Sequence, residues 1–309
     1  WLEPLRYTAE PKVQNKADEL AMLRVRYKPA AGGASQLIER PVHNESTQAS
    51  DDLRFSAAVA AFAQQLKGDG RYTGSMSLQD TAALARAVAE IAAAKPRVVL
   101  LTGSGTIFCA GGDIAEMRQH AGTLDVYIDE LVGIAHPALL RLSELPVPVV
   151  TAINGPVGGG GIGWALCGDF ALAAASMKLR TGYAAIGLSP DMGASHFITR
   201  RIGSLRARQL LMLSDPIDAR RCLDFGLVDE VVPDAELGAR AQTLCERLAR
   251  APTASMAGIK QLCEGAARRN LHEQMALEKS LIEARARSSD ASEGVQAFLE
   301  KRAPRFSGR

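Results

Sequence analysis

Apolar residues recur along this chain in two rhythms, one of period two and one close to 3.6. Leu20–Tyr27 (LAMLRVRY) alternates apolar and polar positions, as a half-buried strand does. A second strand is expected at Gln36–Val42, and the Pro29-Ala-Ala-Gly-Gly turn between them makes a hairpin. Asp51–Leu66 places Leu53, Ala57, Val59, Ala60, Ala63 and Leu66 at near-helical spacing, and Lys67-Gly-Asp-Gly stops that helix. Beyond about residue 75 the rhythm becomes strand, helix, strand. Ser77 followed by Asp80 is an N-cap with an acid three residues on, opening a helix through Ala94 with Leu78, Ala82, Leu84, Val88 and Ile91 in its stripe. Pro96 ends it, and Arg97–Thr102 is a short continuous apolar run of the kind a doubly buried strand shows. Val147–Ile153 and Phe170–Ala175 repeat that signature. Helical patterns follow at Leu124–Leu142, Leu205–Leu213, Leu237–Leu248, Thr253–Ala267 and Leu271–Arg287. Such alternation predicts an α/β fold with a largely parallel sheet and crossover helices.

Length adds that the chain holds two domains, or one with an appendage, since 309 residues exceed the roughly 150 expected of one. Hydrophobic residues at 47%, charged at 23% and aromatic at 5% describe an ordinary globular protein. Lys plus Arg (36) against Asp plus Glu (34) leaves +2, too balanced for a nucleic-acid or membrane partner chosen by global charge. Any anionic ligand must be held locally. The five cysteines form no C-x-x-C pair, so no disulfide framework or metal site is expected. They read as small core residues of a protein in a reducing, cytoplasmic compartment. Leu145–Gly168 is uncharged, yet Pro146, Pro148, Pro156 and its glycines would break a lipid-exposed helix. The chain opens on Trp1 rather than methionine, which reads as a processed end or a cut in a longer frame.

Candidate chemistry sits in two glycine-rich loops, each following a strand. The first is Gly103-Ser-Gly-Thr-Ile-Phe-Cys-Ala-Gly-Gly-Asp113, and the second is Asn154-Gly-Pro-Val-Gly-Gly-Gly-Gly-Ile-Gly163. Glycines at the carboxyl end of a buried strand let the backbone approach a ligand and leave amides free at a following helix. Gly158, Gly160 and Gly163 make a formal G-x-G-x-x-G, but the acid that a dinucleotide site needs about 20 residues on is missing. Asp169 comes too early and Asp191 too late.

With CAGGDIAEM at Cys109, AINGPVGGGGIGWALCGD at Ala152, IGLSPDMGASHFITRRIG at Ile186, ARRCLDFGLVDEVVP at Ala219 and FLEKRAPRFSG at Phe298, residues 75–309 resemble the enoyl-CoA hydratase/isomerase (crotonase) superfamily. The resemblance implies a crotonase-like spiral of β-β-α units with a C-terminal helical region. It also implies an acyl-CoA thioester as substrate, with no cofactor beyond the coenzyme A that substrate carries. The thioester oxygen would lie between the backbone amides of Gly112 and Gly160. Ala110, Asp113 and Ile114 match the stretch that contacts the adenine end of coenzyme A, and Gly159 and Tyr183 are expected to bind the substrate as well. Asp113 can equally cap a helix over Ile114–His120. The family forms trimers and dimers of trimers, and helices between Leu271 and Leu299 suit such packing.

The two glutamates of the hydratase pattern fall on Gly163 and Tyr183, and neither is present. Asp191, in Gly187-Leu-Ser-Pro-Asp-Met-Gly193, looks like the aspartate of isomerase-type and dehalogenase-type members. A carboxylate facing an apolar acyl pocket suits an acid/base that moves a proton between two carbons of an enolate. The plainer reading is that Asp191 caps a helix starting near Gly193. A hydratase-like lyase, an inactive fusion and a scaffold for interactions are the competing functions. His120, His136 and His196 read as surface or satisfied polar residues.

ELAMLRVRYK at Glu19, LIERPV at Leu37 and SDDLRFSAAVAAFAQQLKGDGRYTG at Ser50 resemble the C-terminal extension of bacterial von Willebrand factor type A domain proteins. The A-domain's own serine motif is not in this chain, so residues 1–74 read as a non-catalytic appendage, 75–250 as the catalytic core and 251–309 as a helical oligomerisation region. Ile38-Glu-Arg-Pro-Val-His-Asn44 echoes the family's first hairpin only faintly, which points to a join near Tyr72–Ser77.

Overall fold

The three apolar runs marked as doubly buried strands lie side by side in one parallel sheet. The computed structural model describes residues 19–27, 36–43 and 74–308; the helix expected over Asp51–Leu66 lies outside them. The chain divides into two units, Trp1–Ser50 and Asp51–Arg309. In the first, β1 (Glu19–Tyr27) and β2 (Gln36–His43) pair antiparallel, with Tyr27 opposite Gln36 and a register irregularity between Glu19 and Ala21.

The second unit is built around the strands β4 (Val99–Thr102), β6 (Val149–Ile153), β8 (Phe170–Ala174) and β11 (Glu230–Val232), ordered β11-β8-β6-β4. Alternate residues of these strands face opposite ways. Val99, Leu101, Val149, Ile153, Ala171 and Ala173 enter one core with the helices α1 (Leu78–Ala94) and α3 (Leu124–Ser143), whereas α2 (Ile114–Gln119), between them in the chain, buries no residue. Val150, Ala152, Leu172 and Ala174 enter another. Smaller sheets pair β3 (Ser75–Met76) with β5 (Gly111–Gly112), and order β7 (Val157–Gly158), β9 (Lys178–Arg180) and β10 (Ile217–Asp218) as β10-β9-β7. These strands of two or three residues are too short for any apolar period to announce.

Local chemistry sets the element ends. The Asp80 N–H donates to Ser77 Oγ at 3.1 Å and the Ser77 N–H returns to Asp80 Oδ2 at 3.1 Å, a complete capping box on α1. Pro137 interrupts the hydrogen-bond ladder of α3. The helix α4 (Gly161–Leu166) is seated on β6 by the Thr151 hydroxyl, which donates to the Ala165 carbonyl at 2.8 Å. After it come α5 (Ala194–Ile202), α6 (Ser204–Leu213), α7 (Ala219–Phe225) and α8 (Leu237–Ala249). On the second core face, α8 contributes Leu237, Ala241, Cys245 and Leu248.

The chain closes with α9 (Thr253–Gly265), α10 (Leu271–Ala286) and α11 (Ser289–Glu300). Lys260 of α9 meets Asp169 at 3.0 Å in a largely buried ion pair, and Asp169 also accepts the Val149 N–H at 2.8 Å. The end of the chain turns back, with the Arg97 guanidinium donating to the carbonyls of Ala251 at 2.7 Å and Phe306 at 3.2 Å. Of the five cysteines, four are buried as expected, but Cys263 on α9 is exposed, a correction to the core reading. Among the described residues no helix is long and apolar enough to cross a membrane.

Candidate active site

The two glycine-rich loops meet at the carboxyl ends of β4 and β6. Asn154 ties them together: its Oδ1 accepts the Gly103 N–H at 3.0 Å and its Nδ2 donates to the Gly105 carbonyl at 2.9 Å. Further along, the Gly158 N–H donates to the Cys109 carbonyl at 2.9 Å. Gly111 has φ +95, and a Cβ there would sit 3.0 Å from the Gly158 oxygen and 3.1 Å from the Gly160 nitrogen. The loops therefore touch backbone to backbone, which is what their composition permits.

The two amides expected to meet the thioester oxygen both lie on these loops. The Asp113 N–H turns back to the Met76 carbonyl at 3.1 Å; successive amides of a strand point opposite ways, so that of Gly112 faces away from β3. Gly160 is the N-cap of α4, and the Ile162 and Gly163 amides bond back to the Gly159 and Gly160 carbonyls, each at 3.1 Å. The Gly160 N–H precedes that ladder and takes no part in it.

Gly112 and Gly160 line a cavity of about 520 Å³, together with Ala110, Ile114, Gly159, Tyr183 and Asp191. Its walls are largely apolar, from Met117, Ile128, Leu131, Val132, Ile186 and Leu188. Of the residues expected at the site, Asp113 alone is not among those lining the cavity. Its side chain is engaged as the cap of α2, where Oδ1 accepts the amides of Ala115 at 2.7 Å and Glu116 at 3.1 Å, and Oδ2 accepts the Ser75 hydroxyl at 3.2 Å.

Among the described residues, Asp191 is the only acidic one that lines this cavity. Its side chain caps nothing, so the capping alternative is corrected: the N-cap of α5 is Gly193, and only the Asp191 backbone carbonyl reaches the helix, accepting the Ala194 N–H at 2.9 Å. The reason is a turn with two consecutive left-handed residues, Met192 at φ +48 and Gly193 at φ +63. The turn frees the carboxylate from α5, and Asp191 Oδ1 accepts the Tyr183 hydroxyl at 2.7 Å. Burial first, and the neighbouring Asp191 charge second, push the Tyr183 phenol far above its ordinary range, so it stays protonated.

The sequence reading missed His136. Its Nε2 accepts the Met192 N–H at 3.3 Å and its ring lines the cavity. The available signal was spacing: Ile128, Val132 and His136 recur every fourth residue on one face of α3. His120 instead stacks on Tyr127 with ring centroids 4.7 Å apart, and His196 meets Phe197 edge-on. Both positions of the expected hydratase glutamates are filled differently. A Cβ on Gly163 would fall 2.0 Å from the Met192 carbonyl oxygen, and Tyr183 is occupied with Asp191.

Residues 71–309 match the family model described as enoyl-CoA hydratase/isomerase. Residues 1–99 match a second model, described as the C-terminal part of the uncharacterized protein YfbK, a description that does not name von Willebrand type A proteins. The chain is 36% identical over 229 residues to the "probable enoyl-CoA hydratase" of Rhodobacter capsulatus, covering 74% of this chain and 86% of that protein. It is 36% identical over 217 residues to the 1,2-epoxyphenylacetyl-CoA isomerase of Escherichia coli, covering 69% and 82%. The crystal structure of an enoyl-CoA hydratase from Polaromonas superposes with a TM-score of 0.73 at 28% identity, covering 77% of this chain and 93% of the other. The expected crotonase-like fold is therefore the fold of the part of the chain that matches this family, residues 71–309.

Proposed function

The chain belongs to the enoyl-CoA hydratase/isomerase family, and from that premise we propose that it moves the double bond of an unsaturated acyl-CoA thioester. One observation carries the choice of isomerisation over hydration: among the described residues, Asp191 is the only acid lining the cavity. The backbone of Met192 supports it by filling the space that a side chain at Gly163 would need. A relative described as a hydratase and another described as an isomerase match at the same 36% identity, so their names do not decide between the reactions.

In this reading the thioester oxygen accepts the Gly112 and Gly160 amides. Asp191 removes a proton from C2 of a 3-enoyl chain, and the negative charge that develops on the oxygen falls on donors already in place. Each such donor is worth about 10² to 10³ in rate. Asp191 then returns the proton to C4. The apolar wall from Met117 to Leu188 keeps water from competing for the intermediate. Backbone groups at Ala110, Asp113 and Ile114 hold the adenine end of coenzyme A, and the reaction uses no further cofactor. The enzyme works as a trimer or hexamer in the reducing cytoplasm. Its N-terminal segment is a passive appendage akin to the tail of von Willebrand type A proteins.

The test is Asp191→Asn with a 3-enoyl-CoA, followed by the absorbance of the conjugated product. The expected loss is about 10³-fold, within the 10² to 10⁴ range of a positioned acid/base. An unchanged rate overturns the assignment. Water addition to a 2-enoyl-CoA by the wild type, without double-bond migration, would instead establish the lyase.

A further inference from the structure

Asp191 offers two carboxylate oxygens to the cavity, and the protein treats them differently. Oδ1 accepts the Tyr183 hydroxyl at 2.7 Å and lies 3.4 Å from where a Gly160 Cβ would be. Oδ2 accepts no hydrogen bond among the described residues. The backbone that carries the carboxylate is fixed on both sides, by the Ala194 N–H on its carbonyl at 2.9 Å and by the Met192 N–H on His136 Nε2 at 3.3 Å. Tyr183 is itself only 6% exposed, so its hydroxyl has little freedom to turn to solvent. Its phenol stays protonated and therefore remains a donor.

We infer that Tyr183 is a positioning residue for proton transfer, holding Oδ1 so that Oδ2 both takes the proton from C2 and returns it to C4. The inference rests on the isomerase reading of the same site. The balance is simple. The C2–H bond breaks as Oδ2–H forms, leaving a dienolate; Oδ2–H then breaks as C4–H forms, and the double bond passes from C3=C4 to C2=C3. No electron leaves the substrate. A proton held on one oxygen, in an apolar cavity and with the second oxygen occupied, is delivered on the face it came from before it exchanges with water.

The experiment is isomerisation of unlabelled 3-hexenoyl-CoA in deuterated water, with the deuterium at C4 of the product counted by mass spectrometry. The wild type is expected to place well under one deuterium per product. Tyr183→Phe is expected to approach one, because a freed Oδ1 opens the carboxyl group to exchange. In the same variant kcat should fall about tenfold to a hundredfold, the loss of one hydrogen bond to a charged group, with KM within about twofold. Deuterium per product does not depend on how much enzyme is folded, so a fraction of misfolded variant cannot imitate the result. Wild-type labelling and kcat in Tyr183→Phe overturn the role of Tyr183 and leave the isomerase reading standing. Complete exchange by the wild type overturns delivery through one oxygen, and absence of any double-bond migration overturns both readings.

Discussion

At Gly163 a Cβ would lie 2.0 Å from the Met192 carbonyl oxygen and 2.9 Å from the Met192 Cβ. The backbone that aims Asp191 into the cavity thus occupies the room that a hydratase glutamate would need at 163. A left-handed non-glycine residue such as Met192 costs on the order of 1–3 kcal/mol, and it persists here because His136 accepts its N–H and its side chain is buried. Gly163→Glu should therefore not create a hydratase. It should lower unfolding stability by about 2 kcal/mol or more, as overpacking of a filled site does, measured by urea titration. A stable variant that hydrates a 2-enoyl-CoA would refute this account. Asp191 and the glycine loops were legible in the sequence because each is a contiguous motif. The Tyr183–Asp191 and His136–Met192 contacts were not, since the second joins residues 56 apart through a turn whose hand no motif announces.

Among the described elements, two long helices were read to within one residue: Leu124–Leu142 became α3 and Leu237–Leu248 became α8. The short strands around the loops were missed, because two residues have no period. α2 shows a different kind of element. It buries no residue and is held by polar groups, Asp113 at its N-cap and Glu116, which accepts the Leu78 N–H at 3.1 Å and the Tyr127 hydroxyl at 3.0 Å. Its Met117 nonetheless forms a wall of the cavity. Asp113→Ala should lower stability by about 1 kcal/mol, whereas Asp113→Asn, still an acceptor for the cap, should keep nearly all of it. Equal losses in a thermal or urea melt would argue that the charge, and not the cap, is what the position supplies.

For the whole molecule, the two family matches overlap at residues 71–99, and the fold assigns that stretch to one side. Leu84, Val88 and Ile91 of α1 are buried in the same core as Val99 and Leu101 of β4. All five cysteines lie in the second unit, so thiol chemistry reports on that unit alone. Burial raises the Cys109 thiol from 9.0 to about 11, and those of Cys167, Cys222 and Cys245 from 9.0 to about 12. At about pH 8 a thiol reagent should modify Cys263 alone in the folded protein, and the other four only on unfolding. The same shifts fix a sign for pH. Below 9.0 these thiols are protonated in both states and contribute no pH dependence; above it the unfolded chain releases protons that the folded chain keeps. Stability should therefore fall as pH rises from 9.0 towards 12, with Cys222→Ala expected to flatten the decline in urea melts. A decline of the same slope in that variant, or rapid modification of more than one thiol in the native protein, would show that the core opens more readily than its packing implies.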